Sequence, residues 1–139
     1  MYQKDYILRM IEMIADLIAG ILGRIKKGEL KQASDELKRI YSDFLREDSS
    51  FFESIPEEEL TDKLLQNHNY TNGHLEILAE LFNVEAELRL AQGNKTGSLE
   101  FSKKSLKIFE FLDNEQKTYS FEKINKMEEI RKRIETLQK

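Results

Sequence analysis

The sequence predicts an all-α fold, and three observations support this. Apolar residues recur at spacings of three and four along most of the chain, which places them on one face of a helix. No run alternates strictly between apolar and polar residues, so β-strands are not indicated. The 139 residues include one proline, so long stretches can stay helical. This length suits one domain with its own core, and we expect a single helical domain over residues 1–139.

The N-terminal part predicts a helical hairpin over about residues 2–47. Its first helix covers residues 2–27, and Gly28 ends it by adopting a positive φ angle. The second helix of the hairpin follows, with its apolar residues on one face. Connector helices are expected over residues 49–67, with an inserted short helix that begins near Pro56, a residue that the first helical turn tolerates.

The second half predicts another hairpin, over about residues 73–113, and a C-terminal helix over about residues 119–138. Thr71 or Asn72 is suited to cap the first of these helices, and Gly93 divides the hairpin. Residues 113–118 are expected to form a loop. The C-terminal helix carries only a narrow apolar stripe, which can contact one neighbour. The whole chain thus predicts a compact bundle of about six helices.

The two hairpins share a pattern that indicates an internal repeat. Each has a glycine between its helices and a small residue five positions later, namely Gly28 with Ala33 and Gly93 with Ser98. The glycine permits a tight turn, and the small residue lets the second helix lie close to the first. This is the arrangement of a helical hairpin repeat.

The second copy, EAELRLAQGNKTGSLEFSKKSLKIF, resembles a tetratricopeptide repeat, with Ala86, Gly93 and Leu99 at matching positions. It departs from that pattern at four positions: Arg89, Ser98, Ser102 and Ser105. The first copy departs further. The resemblance covers roughly half the chain and implies a compact tetratricopeptide-like domain, because two hairpins are fewer than an open array needs.

The opening YQKDYILRMIEMIADLIAGIL resembles the start of a family of uncharacterised small bacterial proteins, through its Y-I-L-R-x-I-E core. The resemblance implies a bacterial protein and brings no catalytic residues with it. Charged residues interrupt this apolar stretch too often for a signal peptide or a membrane span. Its apolar residues nevertheless lie nearly all round the helix, which is typical of a central helix or of half an interface. We predict that Ile7, Ile11, Ile14 and Ile18, or their neighbours, contact a second copy of the chain.

The composition limits the chemistry that the chain can carry out. Cysteine is absent, which excludes disulfides, thiolate catalysis and cysteine-based zinc sites. The net charge of −4 argues against a nucleic-acid partner, and no phosphate-binding loop motif occurs. His68 and His74 are six residues apart, not the four that would place two ligands on one helix face, so no metal site is predicted. With Tyr70 they form a candidate pocket.

We therefore expect a noncatalytic interaction or scaffold domain, without a cofactor, that self-associates as a homodimer through apolar helix faces in the cytoplasm. Two alternatives stay open. One is a small enzyme or ligand-binding protein with a pocket near residues 68–74, and the other is a protein that lies on a membrane surface.

Overall fold

The computed structural model describes residues 2–67, 70–116 and 121–139, with the side chains of residues 2–7, 67 and 116 left outside the description. Within these ranges the chain forms seven α-helices and no β-strand, so the all-α prediction is confirmed. The helices are α1 (Tyr2–Lys26), α2 (Leu30–Ile40), α3 (Ser49–Glu53), α4 (Leu60–Asn67), α5 (Asn72–Ala91), α6 (Lys95–Gln116) and α7 (Phe121–Gln138). A π-helical turn, Tyr41–Leu45, continues α2, and a 3-10 turn, Glu57–Glu59, precedes α4.

Two glycines make the sharp turns within the hairpins, as the sequence predicts. Gly28 joins α1 to α2 with a φ of 79°, and Gly93 joins α5 to α6 with a φ of 84°. Both angles lie in the left-handed region, which a glycine adopts without steric cost. The small residues five positions later, Ala33 and Ser98, are fully buried, so α2 and α6 pack closely where they begin.

Helix α5 lies at the centre of the bundle, in contact with α1, α2 and α6. Its buried residues lie on most sides of the helix and are Leu75, Ile77, Leu78, Ala79, Leu81, Phe82, Val84, Glu85, Ala86 and Leu88. A chain of aromatic rings crosses the core through Phe82, with ring centroids 5.8 Å apart from Tyr41 to Phe52, 5.6 Å from Phe52 to Phe82 and 5.4 Å from Phe82 to Phe101. These rings therefore join α3, α5, α6 and the π-helical turn in one core.

Two predicted boundaries differ from the structure. The connector holds helices α3 and α4, in line with the connector helices predicted over residues 49–67, but α4 begins at Leu60 and not near Pro56. Helix α6 continues to Gln116, although a loop is expected from residue 113. The segment DNEQ contains neither glycine nor proline, so nothing in it ends the helix. Residues 119 and 120, the predicted start of the last helix, lie outside the described residues.

Helix α7 packs on α6 and is joined to α5 by ion pairs. Its apolar stripe is narrow, as predicted, with Met127 and Ile130 buried. Three of its cations bind carboxylates along one side of α5, in the pairs Lys123–Glu76 at 3.3 Å, Lys126–Glu80 at 2.6 Å and Arg133–Glu87 at 2.8 Å. Arg133 is the most buried of the three, and it also donates to Ser102 Oγ of α6 and to Asn83 Oδ1 of α5.

We expect Arg133→Met to lower the free energy of unfolding by about 1–3 kcal/mol, because it leaves polar partners on two helices without their donor. The matched control is Arg131→Met on the same helix. Arg131 is half-exposed and pairs with Glu110 and Glu128, so its loss is expected to cost at most about 1 kcal/mol. Urea unfolding followed by circular dichroism measures both. Equal losses from the two substitutions would contradict this account of how α7 is held.

Candidate interaction surface

One side of α1 belongs to the core of its own chain. Met10, Ile14, Ile18 and Ile21 are each at most 7% exposed, and α1 packs on α5. Ile14 and Ile18, which the sequence predicts to contact a second copy, are therefore largely buried within a single chain. Ile11 is only partly buried, while the side chain of Ile7 lies outside the described residues.

Other sides of α1 remain apolar and exposed after folding. Five large apolar side chains are exposed in the part of the chain that the structure describes, and three of them belong to α1. Leu8 is 51% exposed, Met13 49% and Leu17 43%. Single exposed apolar residues are common on protein surfaces, but several on one helix mark a candidate contact surface. We call Met13, Leu17 and Gly20 the outer strip of α1.

A groove of about 650 Å³ lies beside the outer strip, between α1 and α2. Leu17 and Ile21 of α1 line it together with Ile40 and Phe44 from the second helix and its π-helical continuation. Gly20 also lines the groove, and a Cβ atom built there would meet nothing within 4 Å. The backbone of α1 is thus accessible to another molecule at this point.

The charges around this groove are partly paired within the chain. Arg24 Nε donates to Glu36 Oε1 at 2.7 Å, and Arg24 Nη1 donates to Glu29 Oε1 at 3.2 Å. Its Nη2 has no hydrogen-bond partner among the described residues, and the exposed Asp16 forms no ion pair with any of them. The groove therefore offers charged groups of both signs for contacts with another molecule, namely Asp16, Asp43, Lys27, Arg39 and one nitrogen of Arg24.

A second groove, of about 360 Å³, lies between α1, α5 and α7. Its walls are mostly apolar and include Ile11, Ala15, Ile18 and Leu22 of α1 and Ile77 of α5. Lys123 and Lys126 lie at its edge, but they already bind the carboxylates of α5 described above. The groove is therefore less suited to an anionic ligand than its lysines alone would indicate.

In the described part of the candidate pocket at residues 68–74, the side chains stabilise the start of α5. Tyr70 and His74 come together, with their rings stacked at 5.1 Å. Thr71 N donates to His74 Nδ1 at 3.1 Å, and His74 N donates to Thr71 Oγ1 at 3.3 Å, so the two residues form a reciprocal cap at the start of α5. The Tyr70 hydroxyl donates to the carbonyl of Leu45 at 3.0 Å. His68 lies outside the described residues.

The burial of the Tyr70 and His74 rings also fits a structural role at the start of α5. Burial raises the pKa of Tyr70 to about 12, with the charge of Glu47 adding to the effect, and burial lowers the pKa of His74. No group of three or more metal-binding side chains occurs in the residues that the structure describes. Tyr70 and His74 thus stabilise the start of α5 and connect it to the end of the π-helical turn.

Sequence reasoning missed a buried charged cluster between α3, α5 and α6. Arg89 donates to Glu85 Oε2 at 3.0 Å and to Glu53 Oε2 at 2.6 Å, and its guanidinium lies 4.7 Å from the centre of the Phe101 ring. Burial raises the pKa of Glu85, and Arg89 opposes that shift. The spacing of four between Glu85 and Arg89 is a signal that the sequence does contain.

Lys104 belongs to the same cluster and is almost fully buried, at 2% exposure. Its ammonium group donates to the carbonyls of Phe52 and Glu53, at 2.9 Å each, and to Glu100 at 3.3 Å. It therefore satisfies the last carbonyls of α3, which a helix end otherwise leaves without partners. No sequence pattern indicates this contact, because α3 lies about 50 residues earlier in the chain.

Within the described ranges, no helix combines the length and the apolar character needed to cross a membrane. Comparison of the chain with protein-family models, with curated proteins and with solved structures finds no match. The residues of the molecule itself are thus the basis for any functional conclusion.

His74→Gln is expected to remove part of the pH dependence of folding. Because burial lowers the pKa of His74 below its usual 6.5, the folded chain resists protonation, and the free energy of unfolding falls as the pH drops below 6.5. Protonation also removes the acceptor that Nδ1 offers to Thr71. Glutamine can keep the cap but does not titrate.

The measurement is urea unfolding of the wild type and His74→Gln at about pH 7.5 and about pH 5.5, on either side of the usual histidine pKa. The wild type should lose more stability than the variant on acidification. The same loss in both proteins would show that His74 does not titrate in this way.

Lys104→Met is expected to lower the free energy of unfolding by about 1–3 kcal/mol, since it removes the ammonium donor from the carbonyls of Phe52 and Glu53. Among the described residues, only the Phe52 carbonyl of these two also accepts from a backbone N–H, that of Ile55. Lys103→Met is the matched control, because Lys103 is only partly buried and a change of about 0.5 kcal/mol or less is expected there. Urea unfolding compares the two. A small effect at Lys104 would mean that the aromatic contacts and the Arg89–Glu53 pair hold α3 without it.

Proposed function

We propose that the chain is a noncatalytic interaction domain that binds another protein surface through α1. The observation that carries this proposal is the exposure of Leu8, Met13 and Leu17 on one helix of the folded monomer. A partner that covers exposed apolar side chains removes them from water, and this lowers the free energy of the complex. The groove between α1 and α2 supplies a concave surface lined by one of them, Leu17.

The positions of the side chains that could act in catalysis support an interaction domain and not an enzyme. Tyr70 and His74 stabilise the start of α5, and Glu85, Arg89 and Lys104 connect α3 to the core. The polar groups of these side chains therefore already form hydrogen bonds within the fold. A membrane-surface role is disfavoured because Glu12 and Asp16, both exposed, interrupt the apolar surface of α1 and would be repelled by anionic lipids. The cytoplasm remains the compartment that the sequence predicts.

The proposal is tested with three tagged forms of the chain: the wild type, the double variant Met13→Gln/Leu17→Gln, and Leu90→Gln. Leu90 is an exposed leucine outside α1, at 39% exposure, and serves as the matched control. Each form is used to capture either an untagged copy of the chain or proteins from the native cell. We expect the wild type and Leu90→Gln to retain the same protein and the double variant to lose it, because its contact surface is no longer apolar.

Circular dichroism first establishes that the three forms are equally folded. Retention of the same protein by the double variant would refute a role for α1. Failure of all three forms to retain any protein would refute the interaction function itself.

A further inference from the structure

We propose that the partner of the outer strip is a second copy of the chain, bound antiparallel along α1 with the two-fold axis at Gly20. This inference rests on the interaction function proposed above and names the partner of the same surface. It moves self-association from the side of α1 that contains Ile14 and Ile18 to the side that contains Met13, Leu17 and Gly20.

The distribution of charge along α1 gives the direction. From position 8 to position 16 the charged residues are Arg9, Glu12 and Asp16, with a net negative charge, whereas those from position 17 to position 28 are Arg24, Lys26 and Lys27, all basic. A parallel pair would place these like charges next to each other. An antiparallel pair instead places the acidic part of each helix beside the basic end of the other, which favours association.

The register follows from the positions of Asp16 and Arg24 on either side of Gly20. Gly20 lies four residues from Asp16 and four residues from Arg24. With the two-fold axis at Gly20, Asp16 of each copy is level with Arg24 of the other copy, so symmetry generates two equivalent ion pairs. Asp16 forms no ion pair with any described residue, and Arg24 keeps Nη2 for this contact although its other nitrogens bind Glu36 and Glu29.

The same register also covers Met13 and Leu17, the two exposed apolar residues of the outer strip. Leu17 becomes level with Gly23 of the second copy, since each lies three residues from Gly20. Neither glycine has an atom within 4 Å of a Cβ position, so the two backbones can approach closely there. Met13 becomes level with Lys27, whose aliphatic stem can cover it while the ammonium group stays in water.

The absence of cysteine makes a direct test available, because any introduced cysteine is the sole thiol in the chain. In Gly20→Cys the two thiols meet on the axis, so mild oxidation should produce a disulfide-linked species of twice 16.4 kDa. A disulfide cannot join two cysteines whose Cα atoms are more than about 7 Å apart unless the backbone moves. The test therefore distinguishes a cysteine at the two-fold axis from one farther along the helix.

Two controls use the same helix. In Gly23→Cys the two thiols would be about 9 Å apart along the helix axis, given the rise of an α-helix, so this variant should stay unlinked. Ala19→Cys places an exposed thiol beside the groove between α1, α5 and α7, away from the proposed axis, and should also stay unlinked.

A second measurement needs no cysteine. Light scattering after size-exclusion chromatography should give twice the chain mass for the wild type. Asp16→Arg should raise the dimer dissociation constant by about tenfold or more, because it places arginine against Arg24 of the other copy. Glu12→Arg changes the net charge equally but lies away from the axis, and should have the smaller effect.

Three outcomes would overturn the inference. They are a wild-type monomer at the highest soluble concentration, faster cross-linking of Ala19→Cys than of Gly20→Cys, and equal effects of Asp16→Arg and Glu12→Arg. If the wild type is monomeric but loses another protein through Met13→Gln/Leu17→Gln, the interaction function stands and the second copy is refuted. If it is monomeric and retains no protein, both proposals fail.

Discussion

The burial of α5 is the constraint on which the rest of the fold depends. Ten of its twenty residues are buried, and they lie on most sides of the helix, so α5 is stable only when several neighbours cover it. Helices α1, α2 and α6 cover its apolar sides. The remaining side carries Glu76, Glu80 and Glu87, and the cations of α7 cover it. Each neighbour thus has a position determined by the kind of surface that α5 presents to it.

The same constraint explains why α1 keeps apolar surface in water. Helix α1 gives one side to α5 and shares another with α2, but α1 has 25 residues, whereas α2 has 11 and its π-helical continuation five. At the rise of an α-helix, α1 is about 37 Å long and α2 with its continuation at most about 24 Å, so the N-terminal part of α1 extends beyond them. The central helix and the short second helix together leave part of the longest apolar helix uncovered.

Local features could be predicted from the sequence, and the pairing of helices could not. Gly28, Gly93 and the Thr71 cap follow from the chemistry of single residues and their immediate neighbours. The apolar character of α1 is also evident in the sequence, but helical spacing does not indicate which neighbour covers each side, and Ile14 and Ile18, predicted for an interface, are buried within the chain itself. The contacts of Lys104 depend on α6 packing against α3, and no local sequence pattern indicates that these two helices meet.

The candidate surface differs in one physical respect from the charged cluster inside the bundle. The groups around Lys104 and Arg89 satisfy one another, so approaching them with a ligand would require breaking contacts that hold α3. Along the outer strip the opposite holds, because Asp16, one nitrogen of Arg24 and two apolar side chains gain contacts when something covers them and lose none. Binding at α1 therefore needs no rearrangement of the core, and this favours association through that helix over chemistry in the interior.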